Sequence, residues 1–349
     1  MNVISATATV NLYRRYQWQR LWALATAFTF LVLTALVDMA TGPSTITLAD
    51  VWGVLWQPSQ HLGTPLHAIV FDIRLPMTLT ALSVGASLGI AGAEMQTILR
   101  NPLASPYTLG ISAAAGFGAA IAILTGFTLP FLGWLSVPVA AFVCAFGACM
   151  GVWAIGRTRG VTTDVLVLAG IAMLFLFQSL QSLIQYLAAP EVLHEIVFWL
   201  FGSLLKANWT SVWFTTLVLI VIIPILARNA WSLTALATGE ENATSLGLNV
   251  ARIRLRMLFL ISILTASAVA FVGTIGFVGL VAPHIARGFV GEDQRFLIPL
   301  SAFSGAFILV GSSVLAKLIS PGAVVPIGIV TAVIGVPFLF FLILRKKRM

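Results

Sequence analysis

The chain has 349 residues, 59% of them hydrophobic and 9% charged, with a mean hydropathy of +1.03. That is more apolar surface than a water-soluble domain of this length could bury, so the composition excludes a soluble enzyme or binding module and predicts a polytopic membrane protein. The net charge of +8 fits loops that meet anionic lipid headgroups, and nucleic acid is not needed to explain it.

The apolar runs are continuous rather than alternating at period 2, so they are read as helices. In chain order ten candidate spans fall near residues 21–37, 78–98, 107–124, 131–155, 165–188, 211–227, 257–273, 275–290, 297–316 and 326–344. Leu21 to Val37 is expected to be a true first span, because no small-residue cleavage site follows it and Arg14, Arg15 and Arg20 precede it. The segment 191–206 begins with too many charges for a span and reads as a helix at the interface. Around the seventh and eighth spans, FVGTIGFVGLVAPHIAR carries three glycines and Pro283, so the eighth helix is expected to be short or broken.

With the N-terminus placed in the cytoplasm, ten spans put 16 of the 19 Lys and Arg residues on the inner side, leaving only Arg74, Lys206 and Lys317 outside. Both termini are then cytoplasmic. The longest inner connection covers residues 229–256 and contains TGEENATSLGLNVA, a polar stretch in an apolar chain. Thr238 or Gly239 can start a short helix there, with Glu240 and Glu241 in its first turn and Gly247 at its end. Asn249 can cap a second helix that runs through Arg252, Arg254 and Arg256 into the seventh span. The sequon at Asn242 is discounted, because a cytoplasmic loop never meets the glycosylation machinery.

The sequence contains no G-x-x-x-x-G-K-[ST] motif, so ATP chemistry is expected on a separate subunit and none on this chain. Gly85, Gly89 and Gly92 have the spacing of helix-contact residues. Cys144 and Cys149 read as buried packing residues, and His284 as structural, with neither a metal nor a cofactor expected. Gln178, Gln181 and Gln185 place a polar stripe on the fifth span, which serves either interhelical hydrogen bonding or an aqueous path. Glu94 is the deepest carboxylate and has no evident partner, which weakens the alternative of a secondary transporter. No H-E-x-x-H motif occurs to support an intramembrane metalloenzyme.

Four blocks, RLPMTLTALSVGASLGIAGAEMQTILRNPLASPYTLGIS, LATGEENATSLGLNVARIRLR, GTIGFVGLVAPHIAR and VPIGIVTAVIGVPFLFFLILR, resemble the FecCD family of bacterial ABC-importer permeases from about residue 70 to the C-terminus. The resemblance implies an all-α type II permease of ten helices, one transmembrane domain over residues 1–349 with an N-terminal cytoplasmic segment at 1–20, in the bacterial inner membrane. It implies a second permease subunit, two cytoplasmic ATPase subunits and a periplasmic binding protein as partners, with a ferric siderophore, haem or cobalamin as cargo. It assigns ATPase coupling to Gly239, Glu240, Glu241, Ser245, Leu246, Gly247, Asn249 and Val250. It places Gln178, Gln181 and Gln185 on the translocation path and Thr162, Thr163 and Asp164 at the cytoplasmic gate, where Asp164 departs from the family's small hydroxyl residues. It gives binding-protein docking to Arg74 and Lys317. Nearby, Met77 replaces a common arginine and Ser313 a common aspartate, a loss expected to leave Lys317 freer to reach outward.

Overall fold

Helix boundaries in the computed structural model, which describes residues 6–44, 46–319 and 325–345, follow local chemistry. Lys346, Lys347 and Arg348, counted in the charge bias, lie outside the described residues. The chain begins with α1 (Ala6–Ala40), then three short helices, α2 (Leu48–Trp56), α3 (Pro58–His61) and α4 (Pro65–Ala68). Next come α5 (Leu75–Leu99), α6 (Ile111–Thr125), α7 (Ser136–Arg159), α8 (Thr163–Leu187), α9 (Pro190–Leu200) and α10 (Trp209–Ala237). The remainder is α11 (Glu240–Ser245), α12 (Val250–Val272), α13 (Val278–Val290), α14 (Gln294–Ile319) and α15 (Ile327–Arg345). Side-chain caps start several of them: Thr162 accepts from the Val165 amide ahead of α8, and Asn208 forms a capping box with Ser211 ahead of α10.

Among the described residues seven helices, in α1, α5, α7, α8, α10, α12 and α14, are long and apolar enough to cross a membrane, and α6, α13 and α15 supply three shorter apolar ones. Together they match the ten expected spans in order. The eighth, α13, has 13 residues and so is about 20 Å long, short of the roughly 30 Å hydrocarbon core. Residues 229–256 are not one loop. Helix α10 continues to Ala237 and α12 starts at Val250, because the residues beyond the apolar run are still good helix formers even where Asn229 and Ser232 lower the hydropathy.

Helix α5 is the centre of the bundle. Its glycines allow backbone contact: a Cβ on Gly92 would fall on the Gly279 carbonyl of α13, and one on Gly89 would strike the Ser301 carbonyl of α14. Gly85 and Gly305 meet in the same way. Thr80 and Ser83, on the other side of α5, hydrogen-bond Ser211 and Thr215 of α10 at 3.0 and 2.7 Å. Helices α5 and α12 are largely buried, whereas α1, α8 and α10 each keep most of their most apolar stretch uncovered.

Candidate coupling and translocation site

The turn between α10 and α12 is built by its glycines and caps. Gly239 precedes α11 with φ +135°, and Gly247 follows it with φ +80°, a left-handed conformation in which side chains other than Asn are strained. The Leu248 amide donates to the Ala243 carbonyl and the Gly247 amide to that of Thr244, closing the helix end. The Asn249 side chain accepts from the Arg252 amide at 2.9 Å and starts α12 as expected. Glu241, Ser245, Leu246, Gly247 and Asn249 are exposed on this turn, while Gly239 and Val250 are buried beneath it.

Glu240 faces inward to Arg254. The Arg254 side chain is 2% exposed and all five N–H groups of its guanidinium are used. Nε donates to the Ile98 carbonyl at 3.0 Å; Nη1 donates to the Val161 carbonyl at 2.9 Å and to Glu240 Oε1 at 3.3 Å; Nη2 donates to Glu240 Oε2 at 2.8 Å and to Thr163 Oγ1 at 3.3 Å. The same end of the bundle holds further ties. Arg287 donates to Gln96 at 2.7 Å, Gln294 to Thr97 at 2.9 Å, and Arg20 to Asp293 at 3.0 Å. The Asp293 carboxyl is held below the usual carboxylate range, first by the hydrogen bond from Arg295 and also by the charge of Arg20.

Of the expected gate residues, Thr162 caps α8, Thr163 is held by Arg254, and Asp164 is exposed in the first turn, where its charge complements the helix dipole. The glutamines of α8 do not form one exposed stripe. Gln178 is exposed, but Gln181 and Gln185 are half-buried at the edge of the face that packs on α6, with Gln181 against Gly116. The middle of the uncovered face is Leu168, Phe175, Ser179, Ser182 and Tyr186.

Two unwound segments make a groove that hydropathy does not reveal. Residues 100–110 link α5 to α6, and residues 273–277 link α12 to the short α13. Non-helical backbone inside an apolar bundle needs protein partners or a water-lined cavity, and bonds to neighbouring non-helical segments occur here. The Gly202 and Phe201 carbonyls accept from the Ile327 and Gly328 amides at 3.0 Å, and the Thr274 hydroxyl donates to the Leu200 carbonyl. Beside them lies a groove of about 560 Å³ whose lining includes Tyr107, Thr108, Phe201, Thr274, Phe277 and Val333, with no charged residue. Phe277 takes φ +66° there, pressed against Gly335.

The two residues expected to dock a binding protein, Arg74 and Lys317, are engaged within this chain. Both side chains are buried. Arg74 donates to the carbonyls of Met39, Ala40 and Ser44 at 2.7, 2.9 and 2.8 Å, and Lys317 meets Asp38 at 2.7 Å. Where the resemblance leads one to expect an aspartate at Ser313, the carboxylate comes instead from α1, so Lys317 is tied down rather than freed. Cys149 is buried as expected, whereas Cys144 is partly exposed. Sequence reasoning missed Asp38, the hub at Arg254 and the groove residues. No signal marked Arg254, because Arg252, Arg254 and Arg256 stand at alternate positions early in α12 and their spacing gave no reason to single one out.

The fold and this site define a polytopic membrane permease with a polar turn at one end and an uncharged groove within. The chain belongs to the FecCD transport family, whose model matches residues 30–345. It is 39% identical over 326 residues to an ABC transporter permease protein of Methanocaldococcus jannaschii, covering 91% of this chain and 93% of that one. It is 34% identical to the molybdate import system permease of Haemophilus influenzae over 91% of this chain and 94% of that one, and 34% identical to the iron(3+)-hydroxamate import system permease of Bacillus subtilis over 91% and 82%. A solved metal-chelate type ABC transporter in an inward-facing conformation superposes with TM-score 0.80 at 32% identity, over 92% of this chain and 98% of that one.

Proposed function

We propose that this chain is the permease subunit of an ATP-driven bacterial importer that carries a ferric siderophore, with haem and cobalamin as cargoes of the same character. It sits in the inner membrane with both termini and the α11 turn in the cytoplasm. Two ATPase subunits dock on the exposed residues of that turn, and a periplasmic binding protein delivers cargo at the opposite end. A second permease subunit covers α8, and Gln178 lies on the path between the copies, with Gln181 and Gln185 at its edge. Thr162, Thr163 and Asp164 close the inner end. Relatives that are ABC-transport permeases support this reading over a secondary transporter.

The observation that carries the choice of cargo is the groove. At about 560 Å³ in one copy it exceeds any tetrahedral oxyanion, and its uncharged lining of apolar and hydroxyl side chains offers no cation to hold one. A bulky chelate that hides its metal suits such a wall better than molybdate, the cargo named for the Haemophilus relative. The test is transport by proteoliposomes that contain the chain with its own ATPase and binding protein. ATP-dependent accumulation of a radiolabelled ferric hydroxamate, with none of molybdate, is expected. Molybdate accumulation without iron-chelate uptake would overturn the assignment.

A further inference from the structure

We infer that Arg254 is the positioning residue through which movement of α11 reaches the start of α8. The inference rests on the coupling role proposed above and adds how that role is transmitted inside this chain.

One guanidinium joins four pieces of structure: the first turn of α11 through Glu240, the last turn of α5 through Ile98, the α7–α8 connection through Val161, and the first residue of α8 through Thr163. These partners lie 14, 156, 93 and 91 residues away along the chain. With no donor spare and only 2% of the side chain exposed, the group has neither water nor a second carboxylate to turn to if Glu240 withdraws. A shift of α11 therefore has two outcomes. Either the bidentate pair follows it, and Thr163 and Val161 are pulled with it, or the pair breaks and a buried cation is left unpaired, which is strongly disfavoured. The planar, fixed fork of arginine favours the first outcome, because its bonds to α11 and to α8 cannot move independently. Direct packing of α11 on α8 is not needed. The turn presents Glu241, Ser245 and Leu246 outward, and Glu240 is the residue of its first turn that reaches inward to α8 through Arg254.

Lysine keeps the charge at this site but has a single nitrogen, which cannot reach the Ile98, Val161, Thr163 and Glu240 positions together. Arg254→Lys is therefore expected to separate charge from linkage. Glu240→Ala cuts only the α11 arm, at a side chain that is half exposed, and serves where Arg254→Lys fails to assemble.

The experiment uses the intact transporter with its ATPase, in a background carrying Cys144→Ser and Cys149→Ala, with Arg159→Cys as an exposed reporter at the end of α7, two residues before Val161 in the connection to α8. The rate of reaction with a water-soluble maleimide is measured without nucleotide and after trapping with ATP and vanadate. In the parent the rate is expected to change on trapping. In Arg254→Lys, and in Glu240→Ala, that change is expected to be lost and uptake with it, while the ATPase remains bound and hydrolyses ATP. Loss of hydrolysis or assembly in Glu240→Ala would indicate a merely structural contact and overturn the inference, as would a nucleotide response equal to that of the parent. In either case the coupling reading beneath it stands. A parent that binds no ATPase and shows no response overturns both.

Discussion

At the scale of single residues, Asp38 and Lys317 show how a membrane bundle keeps charge in its interior. The two side chains are 0% and 5% exposed and lie 2.7 Å apart. Thr78 donates to the other oxygen of Asp38 at 2.6 Å, and Lys317 also donates to the Asp38 carbonyl at 3.0 Å. Desolvating two ions is offset only by such complete bonding, so the pair gives specificity more surely than stability. Its geometric effect is to hold the end of α1 to α14 and α5. Lys317→Met alone leaves a buried carboxylate without its cation and is expected to cost about 3 to 5 kcal/mol, whereas Lys317→Met with Asp38→Asn should recover most of that loss. Thermal unfolding of the purified protein in detergent measures both. Stability unchanged in the single variant would mean that the pair is solvated in the membrane and could face a partner after all. None of this was legible in the sequence, because the partner stands 279 residues away and hydropathy assigns both residues to helix ends.

At the scale of elements, the helices were readable where one physical signal dominated. Long apolar runs gave the spans, and the glycines and Pro283 gave the short α13, since each weakens a helix for a known reason. The α11 turn was readable too, because Gly239, Gly247 and Asn249 each suit one cap position. What hydropathy could not see was depth. It overlooked the continuation of α10 past Asn229, where helix persists outside the apolar run. It also gave no sign that residues 100–110 and 273–277 meet across the bundle. The turn yields a separable prediction. Gly247 has open space around it, so a substitution there acts through its φ of +80° and not through a clash. Gly247→Asn should leave uptake near the parent level, since Asn tolerates the left-handed region, while Gly247→Val should distort the turn at a cost of about 1 to 3 kcal/mol and weaken ATPase binding with normal membrane levels. Co-purification of the ATPase with each variant decides it. Equal binding by both would show that the turn's shape is not what the ATPase reads.

At the scale of the whole molecule, the helices are unevenly covered, and the proposed second subunit makes a definite claim about which uncovered face it meets. Helix α8 packs on α6 and α7 through one side, with Leu166, Gly170 and Ile184 buried, and turns Leu168, Phe175 and Tyr186 outward at 70%, 63% and 86% exposure. Lipid could cover such a face, but the same surface carries Ser179 and Ser182, with Gln178 at its margin, and hydroxyls in hydrocarbon favour protein or water. Helix α10 is the useful contrast. Its uncovered face holds Trp213, Leu217, Ile220 and Val221, with an aromatic residue at its end and aliphatics below it, as a lipid-facing helix requires. If two copies meet across α8, a single cysteine at Ser179 should form a disulfide-linked dimer under mild oxidation in membranes lacking Cys144 and Cys149. The same reagent at Leu217 should leave the chain monomeric. Moving the cysteine along α8 to Ser182 should keep the cross-link, because that position shares the outward face, and moving it to Ile184 should abolish it, because that side chain is buried against the chain's own helices. A dimer trapped at Leu217 and absent at both serines would put the partner on the other side of the bundle, and the path between copies would then have to be sought beside α10.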